Sequence, residues 1–247
     1  MLALRNIWSI YKREMKAFFL SPIAYVIVIA FVFLAMLLCF WLGNILDSGD
    51  SSLSYSFFPY ALIIMSMLAP AVAMRLWSDE HRDGTIELLL TMPAEPWHAI
   101  FGKFLAACSV WILALALCFP IVMTISYLGD PDPGPIWGGF LGAFFHAAAC
   151  IAITMAVSAF TRSQVTCLII AWAICLPLTF LGFPPLIPGM KDILGETGTT
   201  LLQSISPMKY ALEMGKGFIR FSDVLLFVSI CTVGLLITSI AIRARRA

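Results

Sequence analysis

The chain has 247 residues, of which 61% are hydrophobic and 12% charged, with a mean hydropathy of +0.97. Soluble domains carry about 25% charged residues, so the composition excludes an ordinary soluble protein, and a formal net charge of +1 gives no reason to expect a nucleic-acid partner. The seven cysteines form no CxxC pair and lie in or near apolar runs, which reads as small apolar packing rather than a disulfide frame or a metal site.

A bilayer core of roughly 30 Å needs about 20 apolar residues per helix. Six runs meet that need: Pro22–Leu42, Phe58–Trp77, Phe104–Leu128, Ile136–Phe160, Val165–Phe183 and Val224–Ile242. The expected architecture is all-α and polytopic, a single transmembrane domain over residues 1–247. No short h-region with a small-residue cleavage site opens the chain, so the first span is expected to persist. If the spans alternate, Arg5, Lys12, Arg13, Lys16, Arg75, Arg82, Lys103, Arg162, Arg243, Arg245 and Arg246 share one side, while Asp47, Asp50, Asp130 and Asp132 fall on the other. The positive-inside rule then places both termini in the cytoplasm.

Residues 1–20 come first. Leu4, Ile7, Trp8, Tyr11, Met15, Phe18 and Phe19 recur at three- and four-residue spacing, opposite Arg5, Lys12, Arg13 and Lys16. This predicts an amphipathic helix in the headgroup layer, broken at Ser21-Pro22, where Pro22 opens the first span. Residues 43–57 form a Gly/Ser/Asp connector kept in water by its acids.

Between spans two and three lies WSDEHRDGTIELLLTMPAEPWHAIFGKF. Asp79, Glu80, His81, Arg82 and Asp83 follow the span, Gly84 permits a sharp redirection, and Thr85 suits the cap of a short helix ending before Pro93. That helix is too short to cross and too apolar for water. It can dock into a soluble partner through Leu88, Leu89, Leu90 and Met92, with flanking charges setting register, or it can lie flat on the membrane.

Further on, GDPDPGP (129–135) is a tight turn and TRSQ (161–164) a minimal one, making spans four and five a hairpin. Pro120 and Pro177 interrupt spans three and five. His146 sits at mid-span depth. An intramembrane ionisable residue is a functional candidate, and the alternative is a neutral imidazole hydrogen-bonded to a neighbouring helix. From Pro184 to Asp223 the chain alternates Gly/Pro turns with apolar pieces too short to span, read as external or re-entrant helices. Within this region Ser206-Pro207 should start a helix through about Met214, and Ser222-Asp223 should cap the last span.

Catalytic signals are weak. The three histidines form no HExxH, and GxxxxGK[ST] is absent, so ATP cannot be bound by a phosphate loop of this chain. The charge-poor spans argue against an ion-driven carrier, which usually needs midplane charges or broken helices.

Three pieces resemble the membrane subunits of ABC-2 transporters, most closely the gliding-motility-type permeases: YKREMKAFFLSPIAY (11–25), EHRDGTIELLLTMP (80–93) with FGKF (101–104), and GFIRFSDVLLF (217–227). The most specific part is E–x₃–GT–x–E–x–LL–x₂–P, at Glu80, Gly84, Thr85, Glu87, Leu89, Leu90 and Pro93. The resemblance implies an N-terminal elbow helix and a coupling segment, residues 78–98, that inserts into a separate ATPase. That contact would involve Glu80, Arg82, Gly84, Thr85, Glu87, Leu88, Leu89, Leu90, Met92 and Pro93. It implies no cofactor in this chain, ATP and Mg²⁺ being held by the ATPase, and a second permease copy or related permease. The function it implies is ATP-coupled export across a bacterial inner membrane; the alternative is a non-transporting anchor that transmits force to a periplasmic partner.

Overall fold

In the computed structural model, residues 2–43, 53–84, 96–128 and 131–244 are described, and every helix or strand among them is a helix. They are α1 (Leu2–Leu20), α2 (Pro22–Trp41), α3 (Phe58–Ala73), α4 (Arg75–Arg82), α5 (Pro96–Leu117), α6 (Pro120–Leu128), α7 (Pro133–Phe160), α8 (Gln164–Phe180), a 3-10 turn (Pro184–Leu186), α9 (Ile187–Gln203), α10 (Pro207–Met214) and α11 (Phe221–Ala244). Five spans are long and apolar enough to cross a membrane: α2, α3 with α4, α5 with α6, α7, and α11. The pair formed by α8 and the 184–203 segment, bent by 70°, passes the same test only together, as a broken sixth span or a re-entrant loop. The protein is a multi-pass membrane protein.

Local chemistry sets the boundaries. Ser21 caps α2 by accepting from the Ile23 N–H at 3.4 Å, with Pro22 at the first position, as expected. Asp132 caps α7 in the same way from the Gly134 N–H. Pro120 divides the third span into α5 and α6 because it can supply no N–H to the preceding turn.

Elsewhere the structure departs from the sequence reading. The second span does not stop at Trp77 but stays helical through Arg82, and the third begins at Pro96 rather than Phe104, so charges expected in loops sit on helices. The 43–57 connector is not wholly solvated, because Leu53 and Phe57 are buried and the Ser54 hydroxyl donates to the Gly215 carbonyl at 2.9 Å. Ser206 precedes α10 as expected, yet its hydroxyl makes no cap and donates instead to the Leu178 carbonyl at 2.8 Å. Ser222 and Asp223 lie inside the first turn of α11, with the Ser222 hydroxyl donating to the Asp223 carboxylate. The proposed helix over 85–92 and residues Asp47, Asp50, Asp130, Arg245 and Arg246 lie outside the described residues.

The bundle is built around α7, which packs against α3, α4, α5, α8, α10 and α11. Its buried face is made of small residues, including Gly138, Gly142, Ala147, Ala152 and Ala156. Without a hydrophobic drive between helices in lipid, close backbone approach supplies the attraction. At Gly138 the neighbour is backbone, since a Cβ there would collide with the Met214 carbonyl oxygen at the end of α10. Gly138→Leu is therefore expected to push α10 off the bundle and cost about 1–3 kcal/mol or more, read as a lowered melting temperature of the purified protein. By contrast α9, kinked at Gly195, packs mainly on the 3-10 turn before it and leaves Ile193, Leu194 and Leu201 exposed.

Candidate functional site: a charged junction at the end of the second span

Charges that looked like a solvated loop instead form the internal wiring of the bundle at its basic end. Three successive residues of α4 reach three different directions. The Gln164 side-chain amide at the start of α8 donates to the Asp79 carboxylate. Glu80 Oε1 accepts from Lys103 Nζ of α5 at 2.9 Å and from Arg13 of α1 at 3.3 Å. The His81 Nε2–H donates to the Ala159 carbonyl at the end of α7, at 2.9 Å. Helical geometry explains the fan, because consecutive side chains diverge by about 100° at 3.6 residues per turn. The fourth, Arg82, is exposed and pairs among the described residues with Asp83 at 3.1 Å and Asp79 at 3.8 Å, contacts worth little in water.

Lys103 is the centre of the junction, with its side chain 3% exposed. Its three ammonium protons match three acceptors: the Leu76 carbonyl at 2.6 Å, Glu80 at 2.9 Å and Glu14 at 3.4 Å. The ring of Trp77, itself buried, lies beneath it, 4.9 Å from Nζ to centroid. Arg13 adds a second cation, 2.8 Å from Glu14 and 3.3 Å from Glu80, so two cations and two carboxylates balance. Such balance is what makes buried charge tolerable, since an unpaired one costs several kcal/mol. The second oxygen of Glu80 is buried without a hydrogen-bond partner among the described residues.

The same end fixes α1 to the bundle at further points. Arg75 donates to the Ser21 hydroxyl at 3.0 Å and covers the ring of Phe18 at 4.5 Å. The Tyr11 hydroxyl meets that of Ser109 on α5 at 3.1 Å. The amphipathic N-terminal helix is thus clamped to the second and third spans by ions as well as by its apolar side.

Burial alone would raise the Glu14 carboxyl, but the charge of Lys103 and the bond and charge of Arg13 outweigh it and hold Glu14 below its ordinary value near 4.5. A depressed folded pKa contributes stability that is present above the unfolded value and is lost as pH falls through the folded one. The clamp on α1 is therefore expected to hold at neutral pH and to weaken progressively below about 4.5. Melting temperature followed from pH 7 down to 3.5 checks this, because Glu14→Gln should flatten the acid limb of the curve.

Of the residues singled out from sequence, Glu80 points into the bundle, Arg82 faces outward, and Gly84 adopts φ 69°, a left-handed turn that favours glycine. Thr85, Glu87, Leu88, Leu89, Leu90, Met92 and Pro93 lie outside the described residues. His146 is elsewhere, buried in α7. The Thr179 hydroxyl of α8 donates to its own Cys175 carbonyl at 2.9 Å, which leaves its oxygen free to accept the His146 Nε2–H at 3.5 Å. The partners of Nε2 are that hydroxyl and the Cys150 thiol, with no charged group among them, which is the geometry of a bond between spans.

Glu14 escaped the sequence reading and Lys103 entered it only as a topological cation, although a signal for both existed. Ile7, Tyr11, Glu14 and Phe18 form one apolar stripe on α1, so a carboxylate in that stripe points inward. Lys103 stands likewise in line with Ile100 and Ala107, and Glu80 with Ala73 and Trp77. Charges on apolar stripes signal buried pairing.

Residues 8–246 match the family described as ABC-2 family transporter protein. The chain belongs to the ABC-2 family of transporter membrane proteins. No curated protein matches it. As an ABC-2 transporter membrane component, it contributes the helical span bundle of a transporter, and the charged junction sits where the second span of that bundle ends.

Proposed function

We propose that this ABC-2 protein is the permease subunit of an exporter in a bacterial inner membrane, coupling ATP hydrolysis by a separate ATPase to transport. The observation that carries this reading is the α4 fan. Residues 85–95 connect α4 to α5, and both helices meet at Glu80 and Lys103, while α4 also grips α7 and α8. A push on the connecting segment is therefore delivered to α1 and to four spans through one rigid turn. Such a turn is placed where a coupling element would have to act on the spans.

The basic residues gathered at this end favour a cytoplasmic location for it and for both termini. The E–x₃–GT–x–E–x–LL–x₂–P pattern supports residues 78–98 as the coupling segment and favours the gliding-motility-type branch of the family. ATP and Mg²⁺ belong to the ATPase, and a second permease copy or related permease completes the complex. Reconstitution tests the reading: solute movement should require the ATPase and ATP and survive collapse of ion gradients. Movement driven by an ion gradient without the ATPase would overturn it.

A second reading, a non-transporting anchor that relays force to a partner on the far side, draws on α9, whose exposed Ile193, Leu194 and Leu201 offer such a partner an apolar surface. Replacing residues 184–223 separates the two. Loss of a partner's activity with no flux in either protein favours the anchor.

A further inference from the structure

The second span runs 25 residues from Phe58 to Arg82, and its middle is the weakest part of its helical ladder. Pro70 stands inside α3 and is buried. A proline has no N–H for the carbonyl four residues earlier and its ring crowds that carbonyl, here that of Ser66. Four residues further on, α3 and α4 divide at Met74, and the Ser78 hydroxyl turns back to the Met74 carbonyl, a bond that often bends helices. Proline and such side-chain insertions into the ladder are where helices kink.

Two side chains of α8 are bonded to this stretch, one on each side of the proline. Before it, the Trp172 Nε1–H donates to the Met67 carbonyl at 2.7 Å. Beyond it, the Gln164 amide donates to the Asp79 carboxylate. An indole has one donor and no acceptor, so this bond is the whole polar use of Trp172. Within a bilayer the carbonyls of a regular helix are satisfied by that helix, and side chains of neighbours serve the groups that a proline disturbs. The carbonyl that Trp172 takes is the one next to the carbonyl Pro70 leaves without its N–H.

We propose that Pro70 is a hinge in the second span and that Trp172 is its latch, with Gln164 as the second anchor of α8 beyond the hinge. While the indole holds the Met67 carbonyl, the span is one rod. When the indole lets go, residues 71–82 pivot at Pro70 and carry the Asp79, Glu80 and His81 contacts with them, still tied to α8 through Gln164. This rests on the helical fold alone and not on the choice of driving force or partner. The competing reading is that Trp172 only packs α8 against α3. Packing of that kind would be worth the same whatever residue stood at position 70, whereas a latch has work only while the ladder lacks its rung.

The test is amide hydrogen exchange of the intact protein in nanodiscs, read by mass spectrometry, which reports local opening. Trp172→Phe should raise exchange over residues 71–76 by about fivefold, the loss of one hydrogen bond, and leave α7 and α11 at their parent rates. Pro70→Ala restores the missing N–H and should slow the same peptide. Adding Trp172→Phe to Pro70→Ala should then change it less than about twofold. Spin-labelled amino acids at positions 60 and 83 should give one distance in the parent, two in Trp172→Phe and one again in the double variant. Unchanged exchange in Trp172→Phe overturns the proposal, as does a rise shared by α7 and α11, or one that persists beside Pro70→Ala. A single distance in Trp172→Phe removes the pivot. Should Trp172→Phe not fold, Pro70→Ala alone decides: exchange over 71–76 at the parent rate sinks the hinge.

Discussion

Lys103→Met is expected to destabilise the protein by about 3–5 kcal/mol, the cost of removing one partner from a buried ion pair. Glu14 and Glu80 would then face each other with only Arg13 between them, in a pocket closed by Trp77. The Leu76 carbonyl would also lose the donor 2.6 Å away. A sharp fall in melting temperature and in yield of folded protein is the readout. Lys103→Arg is not a conservative rescue, because a planar guanidinium cannot place three protons around one nitrogen as the ammonium does.

The informative companion is the triple variant Glu14→Gln, Glu80→Gln, Lys103→Met. Removing the buried charges together often restores stability, since the desolvation cost disappears with them, and Arg13, which remains, is half exposed to water. Most of the melting temperature should therefore return. If the junction only holds the bundle together, function returns with it. If it transmits motion, the triple variant is stable yet fails to pass conformational change from the 85–95 segment to α1, and ATP-dependent turnover stays low. Wild-type turnover in the stable triple variant would remove the junction from the coupling path while leaving its structural role intact.

The hydrophobic runs made five spans, the bent sixth candidate and the break at Pro22 legible, because a bilayer imposes length and apolarity on every crossing segment. Proline and glycine did the same for the division before Pro120, the turn at Gly84 and the start of α10. What composition hid was direction. The cluster from Asp79 to Arg82 reads as a loop when charge is counted along the chain, whereas on a helix each side chain points about 100° from the last. Asp79, Glu80 and His81 consequently serve three separate contacts while Arg82 alone stays in water. The pairing of Glu80 with Lys103 and Arg13 needs a tertiary fold to bring α1 and α5 to the same side of α4, and no local pattern names those partners. Ser206 shows the converse, a residue whose local pattern promised a cap and whose hydroxyl was taken by the Leu178 carbonyl.

Leu89→Asp is expected to separate the ATPase from the permease without weakening the permease itself. The warrant is the segment's composition together with the family resemblance: IELLLTM is too apolar for water and too short to span, so it docks in an apolar groove or lies on the membrane, and the resemblance favours the groove of an ATPase. Truncating a central apolar anchor typically costs 2 kcal/mol or more, about 30-fold in affinity, and a buried carboxylate adds a desolvation cost. Complexes co-purified with the ATPase should fall at least that far, and coupled ATP turnover with them, while the melting temperature of the isolated permease stays within error. Glu87→Lys should act differently, as a reversed charge at the rim of the contact, slowing association and making it depend on ionic strength. The two variants together separate contact from steering. A Leu89→Asp permease that still assembled and supported wild-type turnover would place the ATPase contact elsewhere, and the α4 fan would then be a structural clamp.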